Sequence, residues 1–536
     1  MIDAPSRRTL LMGALAGMAL PVAAPAAAAL PARPNFVVIV ADDLGWGEIG
    51  SQGQRLIATP HLDRLAAEGV RFEAAYSGAP LCAPSRCSLL TGLHAGHATV
   101  RDNPQGRPQL PLTEADLTFG ELLQLAGYRT ACIGKWGFGP ERAGQASHPN
   151  ERGFGEFFGY IGHRHAHQYF PAYLWHNGGK VSLDRQAYAP DLFLQRAIAF
   201  ITQPSDEPFL LYYASNLPHA PSEIPGAAGR YARLPWTRAN RRHAAQVSRL
   251  DSDVAQIVQA LRDAGVDQDT LVLFTSDNGP HREKGVTPEL FDSNGPLRAG
   301  KRHLYEGGIR VPLIAWSPKL RPRVEPQPVA LYDIMPTLAD LAGIPMPDGL
   351  DGLSLRRQLH GRAGPRHAHL VWNRPLRAQA VRRGRWKAIR FEPGIAGAGP
   401  EGRIELYDLA RDVGERRDVS AQRPALVSEL MTLLDASIGP DRRSPYGLEV
   451  TGSAGEVSVR LRNGSAVPWQ RVRLQLSLPG GRTLAAREAV TVGPGEETGA
   501  VFAVAGSGPV LASAGFRAGG RRHRFRRAHR LQRDLL

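Results

Sequence analysis

Four short apolar segments constrain the fold of this chain most strongly. They cover residues 36–41, 130–133, 209–214 and 270–275, and each is followed closely by polar residues. Continuous runs of Val, Ile, Leu, Phe and Tyr are typical of strands buried on both faces, as in a mostly parallel sheet. Helical patterns lie between the segments, and this alternation predicts an α/β domain with a large sheet flanked by helices. Ligands of such sheets gather beyond the carboxyl ends of the strands, so we expect a functional site there.

The pattern changes in the second half of the chain. The α/β region spans residues 34–365, and short strand patterns with turns over 366–440 predict a small antiparallel subdomain. Alternating apolar and polar residues with Gly/Pro turns over 447–518 predict an appended all-β module, similar to a β-sandwich. Arginines dominate residues 519–536, which we expect to form a solvated basic tail.

The N-terminal segment has the features of an export signal. Arg7 and Arg8 precede an apolar run over 10–20, and an Ala-rich stretch ends at Ala29. The apolar run is shorter than the roughly 20 residues that a membrane span requires. Residues 1–29 therefore predict a twin-arginine-type signal peptide, a periplasmic or extracellular protein, and no membrane span once the signal is removed.

Net charge and cysteine content exclude few classes of function. The formal net charge of +15 favours an anionic partner, either a nucleic acid, an anionic surface or a polyanionic substrate, and composition does not distinguish them. Three cysteines are too few, and odd in number, for a disulfide framework.

One cysteine lies in a distinctive motif. Cys82-Ala83-Pro84-Ser85-Arg86 is followed by Leu90-Thr91-Gly92. Pro84 suits the first turn of a helix, so Cys82 would lie at the helix N-terminus, where free N–H groups favour negative charge. The residues alone indicate an anion-binding nucleophile, with a buried free cysteine beside a helix cap as the alternative.

Acidic and amide side chains follow two of the predicted strands. Asp42-Asp43 and Asp277-Asn278 offer only oxygen ligands, which suit Ca²⁺ or Mg²⁺. Adjacent carboxylates at a strand end repel each other unless a cation neutralises them. An Asp-Asp pair alone is more often a loop or a cap, but the second, distant pair favours a cation site.

The cysteine motif resembles the Cys-x-Pro-Ser-Arg … Thr-Gly signature of type I, formylglycine-dependent sulfatases, which are arylsulfatase-like members of the alkaline phosphatase superfamily. The resemblance extends over about residues 34–438 and implies an alkaline-phosphatase-like fold and a sulfuric ester hydrolase. It implies that a formylglycine-generating enzyme oxidises Cys82 to Cα-formylglycine. It also implies a Ca²⁺ site, with Mg²⁺ as the alternative ion, whose ligands are Asp42, Asp43, Asp277, Asn278 and the modified Cys82.

Further residues match family positions for catalysis. Alongside Cys82, the resemblance assigns catalytic roles to Arg86, Lys135, His219 and Lys301. It implies that a hydroxyl of the hydrated formylglycine attacks sulfur while the alcohol leaves with a proton from His219 or Lys301. The second hydroxyl then expels sulfate from the sulfo-enzyme intermediate.

One position departs from the family pattern. Gly137 stands where most sulfatases have a histidine two residues after the lysine of Gly-Lys-Trp. The nearby segment 159–167 is rich in histidine. We predict that Arg164, His165 and His167 bind substrate, with His165 or His167 taking over part of the missing role. An exposed loop, or one that binds the sugar of the leaving group, is an equal alternative.

The predicted substrate is a sulfated carbohydrate or another small sulfate monoester, and no nucleic-acid partner is expected. Two alternatives remain open from the sequence. One is a phosphate or phosphonate monoester hydrolase on the same scaffold. The other is a catalytically silent protein that binds sulfated glycans.

Overall fold

A computed structural model describes most of the chain. The described residues are 30–103, 109–346, 349–375, 377–392, 402–438, 447–453, 455–462, 469–478, 483–485, 489–492, 497–504, 508–518 and 521–531. The predicted signal peptide, 1–29, lies outside them and stays a prediction. Within the described ranges, no helix combines the length and the apolar character needed to cross a membrane.

An eleven-stranded mixed sheet forms the centre of the described structure. Its strands are β1 (Asn35–Ala41), β2 (Val70–Tyr76), β3 (Arg129–Lys135), β4 (Glu156–Tyr160), β5 (Tyr173–His176), β6 (Gly179–Ser182), β7 (Phe209–Ala214), β8 (Thr270–Ser276), β9 (Arg310–Trp316), β10 (Arg323–Glu325) and β11 (Val329–Ala330). The order is β10-β2-β9-β8-β1-β7-β3-β4-β5-β6, with β11 beside β2. The five neighbours β8, β1, β7, β3 and β4 are all parallel, which confirms the predicted sheet and brings their carboxyl ends to one edge.

Helices cover both faces of this sheet. They are α1 (Pro60–Glu68), α2 (Cys82–Thr91), α3 (Phe119–Leu125), α4 (Ala189–Thr202), α5 (Arg238–Asp263), α6 (Glu306–Ile309), α7 (Ile334–Leu341), α8 (Arg356–Leu359) and α9 (Pro424–Ser437). Val37 and Ile39 of β1 pack into the cluster formed with α1, α4 and α5, whereas Val38 and Val40 pack into the cluster with α2, α3 and α7. Both faces of β1 are therefore buried, and each such side chain contributes about 1.5–3 kcal/mol.

A small antiparallel sheet follows, as predicted from the strand patterns. Its strands are β12 (Leu370–Arg374), β13 (Ala378–Arg383), β14 (Trp386–Phe391) and β15 (Arg403–Asp408), in that order. Leu430 and Leu434 of α9 pack on one face. On the other face Trp372 packs with Tyr76 and donates its indole N–H to the carbonyl of Ser77 at 2.8 Å. This contact ties the subdomain to the end of β2.

The C-terminal strands form two antiparallel sheets. One contains β16 (Gly447–Ser453), β17 (Gly455–Arg462) and β21 (Glu497–Val504). The other contains β18 (Trp469–Ser477), β19 (Thr483–Ala485), β20 (Ala489–Val492), β22 (Gly508–Ala518) and β23 (Arg521–Leu531). The basic segment expected as a solvated tail thus forms β23, which pairs along β22 from Ala518–Arg521 to Gly508–Leu531. Main-chain hydrogen bonds do not depend on side-chain charge, so an arginine-rich segment can cover a strand edge.

Candidate active site

The two acidic pairs meet at the carboxyl edge of the sheet. Strands β1 and β8 are parallel neighbours with Ala41 opposite Ser276, so the residues after them lie side by side. The backbone N–H of Asp43 donates to Asp277 Oδ1 at 3.1 Å, and Asn278 Nδ2 donates to Asp43 Oδ1 at 2.8 Å. Asp42, Asp43, Asp277 and Asn278 are all buried. The structure therefore brings together the four oxygen-bearing residues predicted from the sequence.

Three buried cations surround these carboxylates. Lys135, the last residue of β3, places Nζ 2.6 and 2.8 Å from the two carboxylate oxygens of Asp42. Arg86 of α2 donates Nε to Asp277 Oδ2 at 2.9 Å. Lys301 donates Nζ to Asp43 Oδ2 at 2.7 Å. Three formal positive charges thus match three carboxylates.

The donor set fits a divalent cation. Asn278 Oδ1 is buried and has no hydrogen-bond partner among the described residues, so an acceptor is left free in a polar cluster. Burial raises the pKa of Asp277 to about 7 despite the guanidinium of Arg86. A nearby divalent cation would favour the ionised carboxylate and use the free oxygen. Ligand atoms of Asp42, Asp43, Cys82 and His219 lie within 4.8 Å of one another, and Asp277 adjoins this group through the amide of Asp43.

Cys82 is the first residue of α2, as the motif predicted. Its Sγ lies 3.8 Å from Asp43 Oδ1, and the residue is fully buried. Burial raises the pKa of its thiol well above the usual value, with the neighbouring Asp277 adding to the effect and Lys135 opposing it. The nucleophilic form of a cysteine is the thiolate, so the encoded side chain is poorly suited to attack an ester. All three cysteines are free.

His219 lies beside the lysine of the same site. Its Nδ1 faces the carbonyl of Ala220, and its Nε2 lies 3.0 Å from Lys301 Nζ and 3.3 Å from Asp43 Oδ2. Burial and the charge of Lys301 lower the pKa of this imidazole well below its usual value. An ammonium can only donate, so the contacts assign Nδ1–H to Ala220 and the lone pair of Nε2 to Lys301.

Of the residues predicted from the histidine-rich segment, the structure brings His167 next to His219 and places Arg164 and His165 elsewhere. The ring of His167 stacks on His219 with centroids 4.3 Å apart. His165 instead places Nδ1 3.0 Å from Glu141 Oε1 and packs edge-on against Tyr160, so it contacts the cavity wall and not the cation cluster. Arg164 is exposed on the cavity wall.

His163 was not singled out from the sequence, yet it lies next to His167. Its ring centroid is 4.7 Å from that of His167. Burial and the charge of Lys135 lower the pKa of His163 to about 2, and the same two effects lower the pKa of His167 to about 4. His163 Nδ1 and His167 Nε2 are buried without a hydrogen-bond partner among the described residues. Both neutral rings can therefore accept or donate a hydrogen bond to a ligand.

Gly137 lies against this cluster. Its φ is +95°, and a Cβ built there would lie 3.4 Å from Arg86 Cδ. Gln109 was also missed by the sequence reasoning. Its amide donates to the carbonyl of Gly137 and its Oε1 accepts the backbone N–H of His163 at 2.7 Å. Gln109 thus couples the position of the absent family histidine to the histidine-rich segment.

A cavity of about 1080 Å³ opens above the site. Its lining includes His219 and Lys301, His163 and His167 on one wall, and Arg302 and Arg374 on another. The volume exceeds that of a single sulfate group, so a larger organic group can occupy the space above the lysine.

Fold and site define the class. The chain is an α/β protein whose charged centre, at the carboxyl edge of a set of parallel strands, suits an anionic ester. Residues 34–344 match the family model described as Sulfatase. The chain therefore belongs to the sulfatase family, within the alkaline phosphatase superfamily, and is a sulfuric ester hydrolase.

Known relatives and structures agree with this assignment. Human arylsulfatase A is 35% identical to the chain, and the match covers 80% of this chain and 94% of the relative. N-acetylgalactosamine-6-sulfatase of Canis lupus familiaris is 33% identical, over 74% of this chain and 83% of the relative. The crystal structure of Ps i-CgsB in complex with k-i-k-neocarrahexaose superposes with a TM-score of 0.67 at 28% identity, over 76% of this chain and 94% of that one.

Proposed function

We propose that this protein hydrolyses sulfate monoesters of a carbohydrate, with residue 82 oxidised to Cα-formylglycine, whose hydrate supplies the nucleophilic hydroxyl. One observation carries the proposal: a fully buried cysteine at the start of α2 lies between Asp43 and two lysines, at the base of a cavity. Relatives named N-acetylgalactosamine-6-sulfatase and a structure in complex with k-i-k-neocarrahexaose support a sulfated saccharide as substrate.

Asp42, Asp43, Asp277, Asn278 and residue 82 would hold Ca²⁺. When bound, the ion would supply positive charge that favours ionisation of a hydroxyl on residue 82 and stabilises the sulfate group. Its two charges would add to a protein site whose three carboxylates and three cations otherwise balance. The resulting excess of positive charge suits a sulfate group in a water-poor site.

The remaining residues stabilise and orient the sulfate. Lys135 and Lys301 donate their ammonium groups to the carboxylates of Asp42 and Asp43. Both ammonium groups would therefore lie next to a sulfate group held at residue 82. Arg86 holds Asp277 and also donates Nη1 to the carbonyl of Lys135 at 3.0 Å, so it fixes both groups. Lys301 carries the proton and His219 the lone pair in their mutual contact, so the pair can pass a proton to the leaving alcohol through Lys301.

We assign the role of the absent family histidine to His167, because its ring stacks on His219 and has a free buried nitrogen. Arg164 would bind the saccharide at the cavity wall, whereas the buried His165 would act on substrate binding through its contact with the wall residue Glu141. We further propose that residues 1–29 direct export by the twin-arginine route and that a formylglycine-generating enzyme matures Cys82. These two proposals rest on the sequence.

The test combines mass spectrometry with kinetics on protein from its native host. We expect the tryptic peptide containing residue 82 to carry the aldehyde, and kcat/KM for an aryl sulfate to exceed that for the matching aryl phosphate and phosphonate by orders of magnitude. Cys82→Ala should remove turnover, whereas Cys132→Ala, at a buried cysteine in β3, should retain it. An unmodified thiol in the active protein, or a preference for phosphate, would contradict the proposal. A modified protein without turnover would favour a silent glycan binder.

A further inference from the structure

One wall of the cavity carries three arginines. Arg302 follows the active-site lysine directly, Arg374 ends β12, and Arg377 lies in the turn before β13. Arg374 donates Nη1 to the carbonyl of Arg302 at 2.7 Å, and the backbone N–H of Arg377 donates to the carbonyl of Arg374 at 3.1 Å. These contacts hold the three residues together as one surface, which we call the arginine wall.

The arginine wall is poorly neutralised by the protein. Arg302 pairs with Glu283 at 2.8 Å, but Glu283 is shared with Lys301 at 3.3 Å. Arg374 Nε lies 3.8 Å from Asp102 Oδ1, too far for a hydrogen bond, and both atoms are buried without a partner among the described residues. No carboxylate of the described chain lies within ion-pair distance of Arg377.

The three guanidinium groups also repel one another. Burial lowers the pKa of Arg374, Asp102 opposes this, and the charges of Arg377 and Arg302 lower the pKa further. Like charges held together at a cavity surface cost free energy that a bound anion removes. The arginine wall should therefore be more stable with a bound anion than without one.

The position of the wall separates it from the shared catalytic centre. Arg374 and Arg377 lie beyond residues 34–344, which match the family model. The cavity of about 1080 Å³ has room for a saccharide whose sulfate reaches Lys301 while a second group reaches the wall. Guanidinium groups bind sulfate and carboxylate oxygens through paired N–H donors.

We propose that the arginine wall binds a second anionic group, a sulfate or a carboxylate, on the same substrate. The preferred substrate is then a saccharide that carries at least two anionic groups. This inference rests on the proposed function, because it places the sulfate to be cleaved at Lys301.

The test compares three saccharides of equal length: one with a single sulfate, one with a second sulfate, and one with the sulfate and a uronate carboxylate. Their kcat/KM values are measured with the mature protein and its Arg377→Gln and Arg302→Gln/Arg377→Gln variants. Their affinities are measured by calorimetry on the Cys82→Ala protein, with and without the same substitutions. We expect the preference for a doubly charged saccharide to fall about tenfold in the single variant and further in the double variant.

Arg64→Gln is the matched control, because Arg64 is an exposed arginine on α1, remote from the cavity lining. Its preference should equal that of the parent. The saccharide whose advantage is lost identifies the second group as sulfate or carboxylate. Equal affinities for singly and doubly charged saccharides, or a preference that the arginine variants leave unchanged, would overturn the inference. Failure of the proposed function shows separately, as absent turnover of all three saccharides by the mature protein.

Discussion

Asp43 contacts three other residues of the charged centre. Its φ of +67° is uncommon for a residue other than glycine and costs of order 1–3 kcal/mol. The conformation aims its amide at Asp277 while its carboxylate meets Asn278 and Lys301. A strained backbone persists only when its surroundings fix it, and here three buried polar contacts do so.

Lys135→Met removes a buried ammonium group and leaves an uncharged side chain of similar length. We expect kcat for an aryl sulfate to fall by about 10²–10³, because a preorganised charge beside the sulfate is lost. Lys180→Met is the control, since Lys180 is an exposed lysine of β6. Steady-state kinetics on variants whose circular dichroism matches the parent would decide; a kcat within twofold of the parent value contradicts the role assigned to Lys135.

Gly137→His tests whether restoring the family side chain restores a family contact. Gly137 has a positive φ and a Cβ there would touch Arg86 Cδ, so we expect about 1 kcal/mol of backbone strain. The variant should melt a few degrees lower and gain no activity, because His167 already stacks on His219. Gly178→Ala, at a glycine without positive φ, should melt like the parent. A rise in kcat/KM would show that no other residue has taken over the role of the family histidine.

At this scale the sequence allowed the prediction of Cys82 and of the acidic pairs, because each lies next to a readable strand or helix start. It did not distinguish His163 from His165. Which ring of a histidine-rich segment faces the site depends on the short 3₁₀ turn His165–His167 and on the hydrogen bond from the backbone of His163 to Gln109, a residue distant in sequence.

Two parallel strands together create the proposed cation site. Asp42 and Asp43 follow β1, Asp277 follows β8, and the strands are in register up to Ala41–Ser276. We expect Ca²⁺ to raise the melting temperature by a few degrees over EGTA-treated protein, because an ion that binds only the folded state stabilises it.

Asp42→Asn should abolish most of this calcium-dependent shift. Asp206→Asn changes an exposed aspartate in the same way and should keep it. Differential scanning calorimetry at several Ca²⁺ concentrations is the measurement. A shift that persists in Asp42→Asn would place the ion elsewhere.

The loop after α2 holds a buried histidine far from this centre. Burial lowers the pKa of His94 from 6.5 to about 3; Asp351 opposes the shift, and His97, His369 and Arg101 add to it. The unfolded chain binds a proton on His94 below about pH 6.5 that the folded protein excludes. This contribution to stability is therefore present at neutral pH and lost as the pH falls.

His94→Asn keeps an acceptor for the N–H of Gly96, which donates to Nδ1 at 3.0 Å. We expect the free energy of unfolding to drop less between pH 7.5 and 4.5 in this variant, by about 2 kcal/mol. Urea unfolding at both pH values measures the difference. Identical pH dependence in the two proteins would show that His94 titrates normally.

Elements at the sheet centre were predictable, and those at its edge were not. β1, β7 and β8 are buried along their whole length, so their sequences read as continuous apolar runs. β6 is exposed at all four residues and has no such pattern. It forms because β5 offers main-chain donors and acceptors across the two-residue turn Asn177-Gly178, so the local signal for this strand is an Asn-Gly turn and not an apolar run.

At the scale of the molecule, the residues of the charged centre lie between 42 and 301 and those of the arginine wall between 302 and 377, whereas the C-terminal sheets begin at Gly447. A chain ending at residue 438 should therefore retain kcat/KM for a small aryl sulfate within a few fold. We also expect it to keep its binding of sulfated glycan, because the described strands of the module show few aromatic residues. Kinetics and glycan-affinity electrophoresis on the shortened and full chains test both points. Loss of glycan binding alone would assign that role to the module.

The burial of Cys82 limits when the proposed oxidation can occur relative to folding. All ten residues of α2 are buried, so a second enzyme has no path to the sulfur once the sheet and helices have assembled. The proposed oxidation would then act on a nascent or still extended chain. A twin-arginine signal would send out a finished, folded enzyme, so the oxidation would belong to the cytoplasm, and a molecule that folds too early would leave the cell permanently inert.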